Sequence, residues 1–261
     1  MGFPSISIIT VVRNAEHVLN DSLQSMASQS VGLEHIIIDG ASTDGTLTAV
    51  NKYSRGENQR YDRIVKVFSE NDQGIYDAMN KGIQRARASV VGILNAGDFY
   101  PACNVLANVI EKLQQTNAEL LYGDLEYVNA NNTSRVVRKW HSGNFSTRRF
   151  YWGWMPPHPT VFITKQCYIK NGFFNLQLGT AADYELMLRF MVKCGVKTTY
   201  LPEVLVKMRA GGISNASLKN RFRANMMDRK AWKVNGMKPY PWTLDLKPLR
   251  KLNQFLHIHR A

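Results

Sequence analysis

Four short polar segments follow apolar runs in the first part of the chain, and each carries groups that could bind a ligand. They are Arg13-Asn14, the loop that begins at Asp39, the loop that contains Asp72, and Asn95-Ala-Gly-Asp98. Carboxylates gathered within a few ångströms repel each other and need a cation. Oxygen ligands without a cysteine cluster favour Mg²⁺ or Mn²⁺. Asp98 is therefore a candidate metal ligand.

The elements that must position these segments alternate between strand and helix patterns. Near-continuous apolar runs at 6–12, 35–38, 64–68 and 90–94 predict buried parallel strands. Apolar residues at helical spacing predict helices between them. Right-handed crossovers bring the carboxyl ends of such strands to one edge of the sheet. We therefore expect the four polar segments to converge although they are distant in sequence.

Each candidate also has a local, structural explanation. Asn95, Gly97 and Asp98 are residue types that favour turns. Asp44, in the loop after the second strand, serves equally well as a helix cap or as a ligand contact, and both roles stay open. The same polar ending after four successive strands favours a ligand site at this edge over four unrelated turns.

The composition is ordinary for a globular chain except in its charge. The 261 residues include 33 Lys and Arg against 20 Asp and Glu, which gives a net charge of +13. Such a field favours nucleotide phosphates, other polyanions or an anionic membrane surface. Three scattered cysteines fit a reducing cytosol better than a disulfide framework or a zinc cluster. We expect neither a signal peptide nor a membrane-spanning helix from the apolar pattern.

The second half begins with strand patterns at 120–128 and 135–140, which predict a small added sheet. Trp152 and Trp154 precede another predicted strand at 160–164. Aromatic rings can cover the faces of a sugar, but Trp-rich segments more often pack in the core. We favour packing for this pair.

Beyond residue 214 the chain becomes strongly basic, and two predicted helices mix cations with apolar residues. Helices of this kind can lie in a membrane interface, or they can cover the catalytic domain or a second subunit. We favour membrane contact. The residues are Lys219, Arg221, Phe222, Arg223, Met226, Met227, Arg229, Lys230, Trp232 and Lys233 in the first helix, and Leu249, Arg250, Lys251, Leu252, Phe255, Leu256, Ile258 and Arg260 in the second.

Taken together, the polar segments resemble glycosyltransferase family 2. They read Thr10-Val-Val-Arg-Asn14, Asp39-Gly-Ala-Ser-Thr-Asp-Gly-Thr46, Ser69-Glu-Asn-Asp-Gln-Gly-Ile-Tyr-Asp-Ala-Met-Asn-Lys-Gly82 and Asn95-Ala-Gly-Asp98, in the family's order. Within the family, the chain is most similar to bacterial transferases that build colanic acid, O-antigen or capsule. The resemblance covers roughly residues 5–215 and implies an α/β GT-A fold, a Rossmann-like, mostly parallel sheet with helices on both faces.

The resemblance also implies an inverting, metal-dependent transfer from a nucleotide-diphosphate sugar. Asp39 matches the acid that contacts the base, and Asp72 would lie near the base or ribose. Asp98 matches the metal-binding Asp of the family's Asp-x-Asp motif, whose first acid is replaced here by Asn95. The donor-binding set that we expect is Thr10, Asn14, Asp39, Asp44, Asp72, Asn95 and Arg209.

Three residues of the second half gain roles from the same resemblance. His158 resembles the family's His-x-Thr segment, close to the metal or the phosphates, although a lone His is often structural. Asp183 matches the general base that opens a helix, where a carboxylate would also serve as a cap. The residue before it is Ala182, where many relatives have Glu. Arg209 belongs to a Gly-containing segment, 208–214, that resembles a loop closing over the donor; an inert turn is the alternative.

We therefore expect a GT-A catalytic domain at 1–215, with a nucleotide-sugar-binding half at 1–100 and an acceptor-binding half at 101–215, followed by a basic extension at 216–261. The expected donor is a UDP-sugar and the acceptor a hydroxyl of a growing, polyprenyl-linked surface glycan. The cofactor would be Mn²⁺ or Mg²⁺. We expect the protein on the cytoplasmic face of the plasma membrane, without a nucleic-acid partner and compatible with an oligomer.

Two other classes compete with this interpretation. A basic module that binds nucleic acid or membranes without catalysis would explain the charge alone. A sugar nucleotidyltransferase would share the fold class, but it requires a glycine-rich loop with Lys or Arg after the first strand. That loop is missing here, as are the P-loop and dinucleotide-binding patterns.

Overall fold

A single eight-stranded sheet organises the chain in the computed structural model, which describes residues 5–56, 63–211, 218–250 and 254. Its first four strands are β1 (Ile6–Val12), β2 (Leu33–Asp39), β3 (Arg63–Ser69) and β4 (Val90–Ile93). They are parallel and lie in the order β3-β2-β1-β4. The four predicted strands are confirmed to within two residues at each end, and their carboxyl ends share one edge of the sheet.

Helices α1 (Glu16–Ala27), α2 (Thr46–Ser54), α3 (Ile75–Arg85) and α4 (Val105–Thr116) follow these strands in turn. Every residue of β1, β2 and β4 is buried, because helices cover both faces of the sheet. This explains why these strands read as continuous apolar runs rather than as alternating patterns.

The second half continues the same sheet. It contributes β5 (Leu120–Val128), β6 (Val136–Trp140), β7 (Phe162–Thr164) and β8 (Thr198–Arg209). Strand β7 pairs antiparallel with β4, and β5 pairs with β7, β6 and β8. The hairpin that the sequence predicts as a small added sheet is therefore an extension of the main one. Through β7, the second half is hydrogen-bonded directly to β4, which ends two residues before Asn95.

Strand β7 starts two residues later than predicted. Residues His158–Thr160 form a 3₁₀ turn instead. The Thr160 hydroxyl donates to the Gly123 carbonyl at 3.1 Å and so ties this turn to β5. A side-chain bond of this kind competes with the ladder and delays the start of the strand.

Helix α3 lies unusually close to the centre of the sheet. A Cβ atom at Gly82 would come within 2.4 Å of Ile9 Cγ2, so only glycine permits this approach. On its other side, the Asn80 amide donates to the Phe174 carbonyl and accepts from the Phe174 amide, both at 3.0 Å. Helix α3 is thus attached to both halves of the chain.

The remaining helices are α5 (Thr147–Tyr151), α6 (Lys165–Asn171), α7 (Ala182–Met187), α8 (Leu218–Val234) and α9 (Thr243–Arg250), with a π turn at Leu188–Lys193. The indole of Trp232 on α8 is fully buried and donates to the Tyr184 hydroxyl at 2.9 Å. This part of the predicted basic extension therefore packs against α7, whereas Met226 on the same helix is half exposed.

Several predictions fall outside the described residues. These are the loop at 212–214, the predicted apolar face at Leu252, Phe255, Leu256 and Ile258, and the side chains of Lys219, Arg221 and Arg223. The division at residue 215 stays a prediction. In the part of the chain that is described, no helix combines the length and the apolar content that crossing a bilayer requires.

Candidate active site

The ends of β1 and β2 are held together by hydrogen bonds between their loops. Asn14 has a left-handed backbone with φ 48°, which Asn tolerates better than most residues. Its amide N–H donates to Ser42 Oγ at 2.9 Å, and its side-chain oxygen accepts from the Thr43 N–H at 2.8 Å. Asn14 therefore fixes the loop after β2.

Asp39, the last residue of β2, is fully buried. It accepts hydrogen bonds from the backbone N–H and hydroxyl of Ser42 and, at 2.6 Å, from the Ser69 hydroxyl at the end of β3. Both carboxylate oxygens are engaged. Asp39 lies at the predicted edge, where it joins the loops after two neighbouring strands.

Asp44 accepts hydrogen bonds from the first backbone amides of two helices, α1 and α2. One carboxylate oxygen accepts from the Thr46 N–H at 3.0 Å, at the start of α2, and the other from the Glu16 N–H at 3.3 Å, at the start of α1. The hydrogen bond from the Thr46 side chain is the main reason why the pKa of Asp44 lies below its usual value. Of the two roles left open by the sequence, the geometry is that of a cap.

Asp72 lies next to Gly40, one residue beyond Asp39. A Cβ atom at Gly40 would be 2.4 Å from Asp72 Oδ2. The other oxygen accepts from the Gly74 N–H at 2.8 Å, immediately before α3. The structure therefore brings the loops of Asp39 and Asp72 together, as the strand order predicts.

The side chain of Thr10 does not reach this edge. Its hydroxyl is fully buried and lies 2.9 Å from Nε2 of His35, whose Nδ1 lies 3.0 Å from the Tyr53 hydroxyl. Burial lowers the pKa of His35 to about 3, so the ring is neutral at physiological pH. The Thr10 hydroxyl therefore points into the core, and the predicted role of Thr10 in donor binding stays a prediction.

Beyond β4, Asp98 and Asn95 present oxygen atoms with few partners. Asp98 is 5% exposed, and burial raises its pKa to about 7, while a hydrogen bond from the Asn95 amide at 3.3 Å opposes the rise. The Asn95 side-chain oxygen is buried and has no hydrogen-bond partner. A buried carboxylate beside an unsatisfied amide oxygen suits a hard divalent cation.

The residues present fit such a cation only as a partial ligand set. Over the described ranges, no group of three His, Cys, Asp or Glu side chains comes close enough to bind a metal. Mg²⁺ and Mn²⁺ commonly take one or two carboxylates from the protein and the remaining ligands from water and substrate phosphates. Asp98 and Asn95 match that pattern.

The second half brings Asp183 against α3. Tyr76 on α3 lies near Asp183: burial, followed by the Asp183 charge, raises the pKa of Tyr76. Asp183 is the second residue of α7, and its Oδ1 accepts from the Tyr184 N–H at 2.7 Å. The carboxylate therefore serves the start of its own helix and also meets a residue from the first half of the chain.

His158 belongs to the same cluster. Its ring meets the ring of Phe174 edge-on, with centroids 5.5 Å apart, and Phe174 lies 5.3 Å from the ring of Tyr76. Burial lowers the pKa of His158, and the negative charge of Asp183 opposes this shift. We name Tyr76, His158, Phe174 and Asp183 the base cluster.

The guanidinium of Arg209 is already engaged by protein groups and is not free to bind a phosphate in this arrangement. At the end of β8, its guanidinium forms an ion pair with Asp21 on α1 and donates to the Ala130 carbonyl at 2.7 Å. Its Cδ would lie 3.8 Å from a Cβ atom at Gly97. Arg209 thus ties β8 to α1 beside the turn that carries Asp98, and its contact with a diphosphate stays a prediction.

Two sets of polar residues were missed by the sequence reasoning. Tyr76 and Asn80 were not selected, although their spacing of four residues places them on one face of α3. Asp124 on β5 accepts from the Tyr200 hydroxyl and the Ser142 N–H, both at 2.8 Å, and contacts Nδ1 of His141. The register of the predicted hairpin indicates the contact between Asp124 and His141. Leu125 lies opposite Trp140, so the residues next to them, Asp124 and His141, also lie close together.

Comparison with known proteins gives this arrangement a family. A family model described as glycosyl transferase family 2 matches residues 7–173. A PGL/p-HBAD biosynthesis glycosyltransferase of Mycobacterium bovis is 28% identical over 225 residues, which cover 85% of this chain and 84% of the relative.

Two solved structures share the fold. Staphylococcus aureus TarS 1–349 in complex with UDP-GlcNAc aligns with a TM-score of 0.66 and 17% identity, over 98% of this chain and 72% of TarS. The mannosyltransferase PcManGT of Pyrobaculum calidifontis, in complex with GDP-Man and Mn²⁺, aligns at 0.63 and 18% identity, over 94% and 69% of the two chains. The fold is GT-A, and the chain belongs to glycosyl transferase family 2.

Proposed function

We propose that this protein is an inverting glycosyltransferase that moves a sugar from a nucleotide-diphosphate sugar to a hydroxyl of a growing, polyprenyl-linked bacterial surface glycan. We favour a UDP-sugar as donor, Mn²⁺ or Mg²⁺ as cofactor, and action at the cytoplasmic face of the plasma membrane. One observation carries the proposal. The contact between Asp183 and Tyr76 joins a carboxylate of the second half to the helix that begins beside Asp72.

The donor would bind along the edge formed by the ends of β1, β2 and β3. Asn14 and Asp44 hold the two loops in place, while Asp39 and Asp72 lie where they can face the base and the ribose. TarS with UDP-GlcNAc and PcManGT with GDP-Man, which share the fold, support a nucleotide-sugar donor. The net charge of +13 favours the approach of a diphosphate.

Asp98 would hold the cation, with the unsatisfied oxygen of Asn95 beside it. A bound divalent cation stabilises negative charge on the leaving diphosphate. His158, predicted as a second metal contact, joins the base cluster instead of an acidic cluster among the described residues. Its proposed role is therefore to border the reacting centre as a neutral ring.

Asp183 would accept the proton of the acceptor hydroxyl as that oxygen attacks the anomeric carbon. A hydrogen bond from the Tyr184 N–H orients its carboxylate, and Tyr76 lies near it. A positioned base of this kind contributes ~10² to 10⁴ to the rate. Attack from the face opposite the leaving diphosphate inverts the anomeric configuration.

A panel of nucleotide sugars tests the proposal. We expect one of them to raise the melting temperature and to be hydrolysed slowly when Mn²⁺ is present, and NMR of the transfer product to show an inverted anomeric configuration. Hydrolysis that is unaffected by chelation of the metal would contradict the cofactor assignment. A product with retained configuration would contradict the role of Asp183.

The net charge alone also favours a second candidate, a basic module that binds an anionic partner without catalysis. That candidate predicts affinity that falls steeply with salt and is unchanged by Asp98→Asn. Binding of Mn²⁺ and a nucleotide sugar that is lost in this variant would exclude it.

A further inference from the structure

Three exposed aromatic side chains lie together on a surface built from two distant segments. Trp152 directly follows α5, while Tyr240 and Trp242 precede α9, and the three are 39%, 46% and 45% exposed. The ring centroids of Trp152 and Trp242 are 6.1 Å apart, and those of Tyr240 and Trp242 are 5.3 Å apart. No other Phe, Trp or Tyr in the described ranges is equally exposed. We call these three residues the aromatic patch.

The patch rests on a rigid base. The Thr243 hydroxyl donates to the Tyr151 carbonyl at 2.6 Å, which joins the start of α9 to the end of α5. Gly153 has φ +77°, and a Cβ atom there would be 2.7 Å from the Lys247 nitrogen, so the two segments are in close contact. The ring of Tyr151 packs between Tyr240 at 4.9 Å and the buried Trp232 at 4.8 Å.

Exposed cations lie on the segments that carry or lead to the patch residues. Arg148 is one helical turn before Trp152, whose N–H donates to the Arg148 carbonyl at 3.1 Å. Lys233 and Lys238 are exposed in the segment that leads to Tyr240. Two acids lie in the same region: Asp245 is exposed on α9, and Asp228 is neutralised by Lys247 at 2.7 Å. The border is therefore predominantly positive.

We propose that the aromatic patch and these cations form a docking surface for an anionic lipid bilayer. Trp and Tyr have an apolar ring and a polar tip, which favours the boundary between headgroups and acyl chains. Lys and Arg beside them add attraction to anionic headgroups. A protein partner is a poorer match, because the patch is only three side chains wide and its border is predominantly positive.

The surface also lies close to the base cluster. Trp232, against which Tyr151 packs, donates to the hydroxyl of Tyr184, the residue after Asp183. The side chains of Tyr151, Trp232 and Tyr184 thus connect the docking surface to the helix that carries the candidate base. The inference rests on the proposed function, since a polyprenyl-linked acceptor is held in a membrane and its first sugars lie next to the headgroups.

Vesicle binding of the full chain tests the inference. We expect binding to phosphatidylcholine vesicles that contain phosphatidylglycerol, measured by cosedimentation, and a blue shift of Trp fluorescence with protection from acrylamide. The triple variant Trp152→Ser, Tyr240→Ser, Trp242→Ser should bind at least about tenfold more weakly. Lys233→Gln and Lys238→Gln should each weaken binding about fivefold, and only on anionic vesicles.

A matched control removes exposed apolar side chains elsewhere. Ile169→Ser combined with Leu176→Ser changes residues that are 59% and 41% exposed outside the patch, and vesicle binding should be retained. Nucleotide-sugar hydrolysis in solution should be equal in the wild type and the triple variant, because the patch does not touch the donor edge. If the wild type hydrolyses no nucleotide sugar, the proposed function fails. The vesicle measurement does not depend on hydrolysis and still tests the docking surface.

Four outcomes would overturn the inference. The wild type could bind no vesicles, or the triple variant could bind them as well as the wild type does. The triple variant could convert a dimer to a monomer in light scattering, which would make the patch an interface between two copies. Soluble oligosaccharides could protect the Trp fluorescence while vesicles do not, which would make it a glycan subsite.

Discussion

The ends of β1 to β3 and the region around Asp98 and Asp183 both collect acidic side chains, but they use them differently. Asp39 and Asp44 accept hydrogen bonds at both carboxylate oxygens from neighbouring loops. Asp98 instead is buried with one long hydrogen bond from Asn95, whose own side-chain oxygen has no partner. The carboxylates of the first group hold the loops in place. The oxygens of Asp98 and Asn95 still have unused hydrogen-bonding or metal-binding capacity. Substitution of Asp44 should therefore reduce stability, whereas substitution of Asp98 should reduce activity.

The largest effect is expected from Asp183→Asn. The amide keeps the shape of the carboxylate but cannot accept the acceptor's proton, so the transfer rate should fall by about 10³, within the usual range for a general base. Thermal stabilisation by donor and Mn²⁺ should persist. The control is Asp245→Asn, which changes an exposed acid on α9 and should leave the rate unaffected. Loss of donor binding in Asp183→Asn would refute its assignment as base.

Asp98→Asn should weaken Mn²⁺ binding by at least about 100-fold, because a ligand contributes more than the outer residues whose loss already costs 10 to 100-fold. Isothermal titration with Mn²⁺ and nucleoside diphosphate measures this effect. Asp21→Asn is a useful comparison, since it breaks the Arg209 ion pair beside the same turn without removing a proposed ligand. Equal Mn²⁺ affinity in Asp98→Asn and the wild type would remove Asp98 from the metal site.

A pH dependence of stability is expected from His35 beneath the donor edge. Burial lowers its pKa from 6.5 to about 3, so the unfolded chain binds a proton between these values that the native chain does not. Its contribution to stability is complete above pH 6.5 and is lost as the pH falls toward 3. The slope reaches about 1.4 kcal/mol per pH unit. Urea unfolding between pH 7 and about 4 gives the free energy of unfolding as a function of pH. This free energy should depend less steeply on pH in His35→Gln than in the wild type, and an equal pH dependence would contradict the prediction.

The smallest effect is expected from Asp44→Ala. Loss of the cap should lower the free energy of unfolding, as is typical for caps. Donor affinity should stay close to that of the wild type, because both carboxylate oxygens already accept hydrogen bonds from the Thr46 and Glu16 amides. Chemical denaturation and nucleotide titration on the same variant separate the two readouts. Strong donor weakening without loss of stability would instead make Asp44 a ligand contact.

The sequence predicts most of the first half because its signals are local. Strands β1, β2 and β4 are buried on both faces and appear as apolar runs, and the parallel order then brings Asp39 and Asp72 to one edge. Side-chain direction is harder to predict. Thr10 lies in the quoted motif, yet its hydroxyl is bonded to His35 inside the core, and no local pattern reveals a partner 25 residues away.

The second half depends on contacts between distant segments. The base cluster combines Tyr76, His158, Phe174 and Asp183 from four separate parts of the chain, so a periodic pattern could indicate each element but not their meeting. The same holds for Trp232, which reads as part of an amphipathic basic helix and is buried against Tyr184. Trp152 and Trp154 divide between two roles, since Trp154 packs in the core and Trp152 is exposed.

Gly82 determines how closely α3 approaches the sheet. Because α3 rests directly on Ile9, the height of Tyr76 above the sheet is set by the lack of one methyl group. A larger residue at 82 would lift the whole helix and carry Tyr76 away from the edge where the donor is expected to lie. Gly82 thus sets how far Tyr76 stands from that edge, although it lies nearly two helical turns away from Tyr76.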